Sequence, residues 1–163
     1  MNIINTIKRA IRLDISLYSE IEKKYEYHKQ AIIIVIVAAL LSSIGTGGLD
    51  VVDIIFGFIY ELLTLVFWIG VIVVLAVKIL DIRSEPISLA RCIAIALSPL
   101  LFMILTLIPY FGAYLAILSI IYSIISVYKA VQVLLELEPL MALMLSMTGS
   151  IPFIVVNFYL GYQ

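Results

Sequence analysis

Apolar residues in this chain fall into five runs, at 31–48, 54–77, 88–108, 112–134 and 139–160, with most of the polar residues between and before them. A helix needs about 20 residues to cross the hydrocarbon core of a bilayer, so each run predicts a membrane span. The first ends in Gly45-Thr46-Gly47-Gly48, which suits a helix terminus. Pro139 suits the first turn of the last span, where its missing N–H had no partner in any case. Four spans, with the fourth or fifth run lying in the interface, form the alternative. Before residue 31 the pattern changes. Ile4, Ile7, Ile11, Ile15, Tyr18, Ile21 and Tyr25 recur every three or four residues, which places them on one helix face. Lys8, Arg9, Arg12, Glu20, Lys23 and Lys24 occupy the others. This predicts an amphipathic leader over 1–30, followed by a five-helix domain over 31–163. Ser19 followed by Glu22 has the spacing of a capping box that would divide the leader into two short helices.

Composition supports lipid as the solvent. Hydrophobic residues make up 64% of the 163 and charged residues 13%, against about 25% charged in ordinary soluble domains. The fold class expected is therefore an all-α membrane protein with five transmembrane helices and an N-terminal amphipathic cytoplasmic helix. The ten Lys and Arg residues orient it. Six precede the first run. Lys78, Arg83 and Arg91 lie in or near the second connection, and Lys129 lies toward the fourth. Loops rich in Lys and Arg stay cytoplasmic. The N-terminus is thus expected inside and the C-terminus outside a cell membrane, with Asp50 and Asp53 outside. Roughly thirty polar-rich residues precede the first apolar run, which argues against a cleaved signal peptide.

Glu61 is the clear ionisable residue inside a predicted span. An intramembrane carboxyl is a candidate proton or cation site; the plainer reading is a neutral carboxyl, or one paired with Tyr or Ser, near the outer interface. Thr106 and Asn157 fall at a similar depth, so the three form a candidate intramembrane polar site. Ala116, Ser119, Ser123, Ser126 and Ala130 make a small-residue stripe along the fourth span, and Ala142, Ser146, Gly149 and Ser150 a second along the fifth. Small residues let membrane helices approach closely, so both stripes are read as packing seams rather than a solute path. Pro99 and Pro152 each remove a backbone donor and predict kinks. Trp68 reads as a packing residue.

Several chemistries are not supported. One cysteine, Cys92, and one histidine, His28, exclude an internal disulfide and leave no zinc motif. The glycine run lacks the Gly-Lys-Ser/Thr ending of a phosphate-binding loop, and His28 lies far in sequence from the serines of the spans. No enzyme and no cofactor are expected. A net charge of −1 offers nothing to nucleic acid. Lys8, Arg9, Arg12 and Arg83 are the candidate contacts to anionic lipid or a cytoplasmic partner.

The order of several segments resembles the Yip family, membrane proteins named for interacting with Ypt/Rab GTPases, and in particular its prokaryotic branch. These segments are RAIRLDISLYSEIE from Arg9 to Glu22, QAIIIVIVAALLSSIGTGG from Gln30 to Gly48, ALSPLLFMILTLIP from Ala96 to Pro109, and the stretch holding Ile121, Tyr122, Lys129 and Ala130. The resemblance implies five spans and a non-enzymatic organiser or adaptor that self-associates or recruits a cytoplasmic protein. The Asp-Leu-Tyr-Gly-Pro motif of eukaryotic relatives does not occur, so a GTPase partner is not carried over. The alternative function is a small-solute or ion transporter built around Glu61.

Overall fold

Short polar side chains start three of the helices. Asn2 caps α1 (Ile3–Ile11) through Ile4 N–H, Asp14 caps α2 (Ile15–Lys23) through Ser16 N–H, and Asp50 caps α4 (Val51–Val74) through Val52 N–H. Each carboxylate or amide oxygen satisfies a backbone donor that the first helical turn leaves unpaired. The computed structural model describes residues 2–47, 50–79 and 85–160, with side chains omitted at 47, 79 and 156–160. The remaining elements are α3 (Tyr27–Gly47), a π-helical turn (Leu75–Ile79) that extends α4, α5 (Pro86–Ala96), a 3₁₀ segment (Ser98–Leu107), α6 (Gly112–Leu134) and α7 (Pro139–Leu160).

The leader is two helices, and the break is not at Ser19. Arg12 ends α1, Leu13 takes a positive φ of 56°, and its N–H bonds Ala10 C=O while Asp14 N–H bonds Arg9 C=O. That pair of bonds is a Schellman ending, and Asp14 then caps the next helix. The turn also interrupts the seven-residue apolar face expected from periodicity. Tyr18 and Ile21 are buried, together with Leu17 and Ala10, whereas Ile4, Ile15 and Tyr25 are exposed.

Four helices among the described residues are long and apolar enough to cross a membrane: Tyr27–Thr46, Val51–Lys78, Pro86–Leu107 and Gly112–Leu134. Pro139–Val155 is a shorter apolar stretch within α7. The third of the four is the central one. It is 72% buried, against 28% for the second, and its two halves pack on α3, α6 and the leader. α4 and α7 pack together on the flank, and the outward face of α4 (Phe56, Leu63, Val66, Phe67) is exposed. Such a face suits lipid rather than water.

Pro99 changes the helix type. α5 stops at Ala96 and the chain continues in 3₁₀ turns from Ser98. Pro99 has no N–H for the Ile95 carbonyl four residues back; the Ser98 hydroxyl donates to it instead, at 2.6 Å. Pro152, by contrast, lies within the continuous helix α7. The expected hairpin at 109–112 is a tight turn, with Tyr110 at φ 69°.

Candidate functional site

Polar groups gather on the α3–α4 seam, at the end of the bundle away from the leader. Glu61 is ten residues into α4, roughly 15 Å along it, and only 5% exposed. Its carboxylate accepts from Ser42 Oγ at 2.9 Å. Ser43 Oγ donates to Ile54 C=O at 2.8 Å, and Thr46 Oγ1 donates to Ser42 C=O at 2.9 Å. Thr64 bonds back to Tyr60 C=O and Glu61 C=O. Ser42 and Ser43 are the residues that reading Glu61 alone missed. Their signal was an adjacent Ser pair inside an otherwise aliphatic run.

Thr106 approaches the same part of α3 from the other side. Its hydroxyl donates to Met103 C=O at 2.7 Å, and the side chain faces Gly45, one turn beyond Ser42. Glu61 and Thr106 therefore flank neighbouring turns of α3. The Asn157 side chain lies outside the described residues, and Glu61 and Thr106 each meet α3 at separate residues, Ser42 and Gly45.

The small-residue stripes lie within the packed bundle. Ser119, Ser123, Ser126 and Ala130 of α6 are buried, and Ala116 packs on the core. Ser146 and Ser150 of α7 are buried too. Most of these hydroxyls bond backwards along their own helix: Ser119 to Leu115 C=O, Ser123 to Ser119 C=O, Ser146 to Leu143 C=O and Ser150 to Met147 C=O. A hydroxyl spent this way has no hydrogen left to offer a solute. Ser126 is the exception, paired with Tyr18 Oη of the leader at 3.1 Å. Gly149 lets α7 close onto Trp68 and Ile72, and Phe153 packs on the Trp68 ring.

The leader is held by charge as well as packing. Arg9 donates through Nε to Asp14 at 2.7 Å and through both Nη atoms to Glu20, and it also reaches Ser16. Tyr27 Oη donates to Glu20 as well. Arg9, expected to be an outward contact, thus ties α1 to α2. Lys8 and Arg12 are exposed; Arg83 lies outside the described residues. Tyr122 Oη donates to Ile11 C=O and Thr6 Oγ1 donates to Gln30 at 2.6 Å. α1 is thereby fastened to α6 and α3, and α2 to α6 through Tyr18 and Ser126.

This cluster shifts its acids downward. Asp14 is lowered by hydrogen bonds from Ser16 and then Arg9, and Glu20 by hydrogen bonds from Arg9. The same contacts raise Arg9, with Glu20 contributing most. Burial pushes the Tyr18 phenol up to about 12. A depressed carboxyl contributes stability that is present above its unfolded pKa and lost as pH falls through the folded value. The cluster's contribution to leader stability is expected to persist from pH 7 to pH 5 and to fall away below the ordinary carboxyl values of 3.8 and 4.5, lowering the amide-exchange protection of α1 and α2 without abolishing it. Hydrogen exchange read by mass spectrometry checks this, and protection already lost at pH 6 would contradict it.

Sequence reading also missed Arg91. It was counted with the charges near the second connection, but it sits inside α5 at 5% exposure. Nη2 reaches Glu22 C=O at 3.4 Å and the guanidinium lies over the Tyr25 ring. The signal was available, because the predicted third span began at residue 88. Among the described residues no His, Cys, Asp or Glu side chains group as a metal-ligand set. No protein-family model, curated protein or solved structure matches this chain.

Proposed function

We propose that the chain is a non-enzymatic organiser or adaptor of a cell membrane, crossing it five times with the N-terminus cytoplasmic and the C-terminus outside. α7, at 22 residues, serves as the fifth span. The leader lies on the cytoplasmic side, fixed against the bundle, and offers Lys8, Arg12, Lys23 and Lys24 to a protein partner or a second copy. The observation that carries this reading is how the interior hydroxyls are spent. Four of the stripe serines bond their own helices, Ser126 bonds the leader, and Ser42 bonds Glu61. Such a bundle packs; it does not line a path with open donors. The architecture expected from the Yip resemblance agrees with this proposal.

The competing reading is an ion or small-solute path through Glu61, favoured by the burial of that carboxyl. Proteoliposomes separate the two. The wild type is expected to pass no protons, Na⁺ or K⁺ under imposed gradients, and Glu61→Gln to behave identically. Flux that the substitution abolishes would overturn the organiser reading.

A further inference from the structure

A groove of about 500 Å³ lies between α3, α4 and α5. Its walls are aliphatic, with Ile32 and Ile36 on α3 and Val66 and Ile69 on α4. Ile32, Ile36 and Val66 are substantially exposed, so the groove opens sideways, toward lipid in the orientation proposed above. The groove's surface is wholly apolar; His28 and Arg91 line its leader end through carbon atoms, with their nitrogens buried behind it.

Both residues are incompletely paired. Arg91 Nε and Nη1 are buried with no hydrogen-bond partner among the described residues, and so is His28 Nδ1. Arg91 carries a guanidinium with five N–H donors and no acceptor. Among the described residues its hydrogen bond is to Glu22 C=O, long and to a neutral acceptor, and the Tyr25 ring 5.4 Å away offers only its π face. Tyr25 stacks on His28 at 5.3 Å with its ring against the Arg91 guanidinium, and is itself 72% exposed, so it lies over both residues on the solvent side. A buried cation calls for a counter-charge with hydrogen-bond acceptors. An aliphatic channel leading away from that cation calls for a hydrocarbon chain.

We propose that this groove is a binding site for an anionic phospholipid of the cytoplasmic leaflet. The phosphate accepts from Arg91 Nε and Nη1, and from His28 in its Nδ1–H tautomer. One acyl chain lies along α3 and α4 between Ile36 and Val66. Tyr25 packs over the headgroup.

The test uses the full chain, purified in detergent and stripped of lipid, with lipid retention read by native mass spectrometry. Phosphatidylglycerol should be retained about tenfold or more better than phosphatidylcholine of the same acyl chains, which is the order expected for hydrogen bonds to a charged group. Arg91→Gln should bring that preference close to unity. Val66→Trp, on the exposed wall, should weaken retention of both lipids without disturbing the interior, and it decides the matter if Arg91→Gln does not fold. A double Lys8→Ala, Arg12→Ala variant should keep the preference. Equal retention of the two lipids by the wild type overturns the proposal. So does unchanged retention by Val66→Trp, or a preference that disappears with the leader cations instead of Arg91. Inorganic phosphate that competes off phosphatidylglycerol at equal concentration would show an anion site with no use for the chain, and would overturn it too.

Discussion

Gly45→Leu is expected to prevent the bundle from assembling. A Cβ at this position would sit 2.2 Å from the Met103 carbonyl oxygen and 2.3 Å from Thr106 Oγ1. The first of these is backbone, so a rotamer change cannot relieve it. α3 would have to move off the 3₁₀ segment, which is one of its two principal packing partners. Overpacking of a well-filled interior costs about 1–3 kcal/mol, and a clash with backbone falls at or above the top of that range. Displacing α3 would also separate Ser42 from Glu61 and leave a carboxyl buried without its hydroxyl. In detergent the variant should elute as aggregate rather than in the wild-type peak. Gly45→Ala should show the same defect in milder form, because even a methyl group has nowhere to go. A Gly45→Leu protein with wild-type elution and melting would mean that α3 and the 3₁₀ segment are not in contact there.

The second large effect is expected at Tyr18. Its side chain is fully buried and its hydroxyl meets Ser126 in the middle part of α6. Tyr18→Ala removes an aromatic ring from a closed interface, a change of about 3–5 kcal/mol in ordinary cores. The Arg9–Asp14–Glu20 cluster joins α1 to α2 and reaches the bundle through the Tyr27–Glu20 hydrogen bond, too weak a tie to hold the leader in place alone. Partly exposed ion pairs of this kind are also weak. The expected result is a leader cleaved rapidly by trypsin at Lys23 and Lys24 while the bundle remains folded. Tyr18→Phe should behave much more like the wild type, because it loses only one hydrogen bond, worth about 1 kcal/mol. Equal protease resistance of Tyr18→Ala and wild type would show that the leader is held by something other than this contact.

These contrasts show where the sequence was informative. Long aliphatic runs and their spacing located the four span-length apolar helices within a few residues, because a bilayer sets a length that composition must meet. The leader was harder. Its three-to-four periodicity suggested one continuous apolar face, yet Leu13 adopts a left-handed conformation more usual for glycine, and the Schellman ending there starts a second helix. A non-glycine residue at such a turn carries little local signal. Pro99 predicted a disturbance, but not that Ser98 would take over the orphaned Ile95 carbonyl and let the chain continue in 3₁₀ turns.

The candidate site was legible in part for the same reason. Glu61 stood out because a carboxyl is rare in an apolar run. Its partner Ser42 did not, since serine is common in membrane helices and nothing local tells which face it occupies. Arg91 was counted with the loop charges because cations near a span end normally reach water. The packing of α2 over it removes that option. Pairings across helices depend on rotation about each axis, which only the assembled bundle sets.

Reporters fused to the two ends of the chain test the central claim most directly. The account predicts an N-terminal tag that reads out only from the cytoplasm and a C-terminal tag that reads out only from the far side of the membrane. Both tags reporting from one compartment would mean an even number of crossings, and the proposed placement of the leader, of Glu61 and of the groove beneath Arg91 would be wrong.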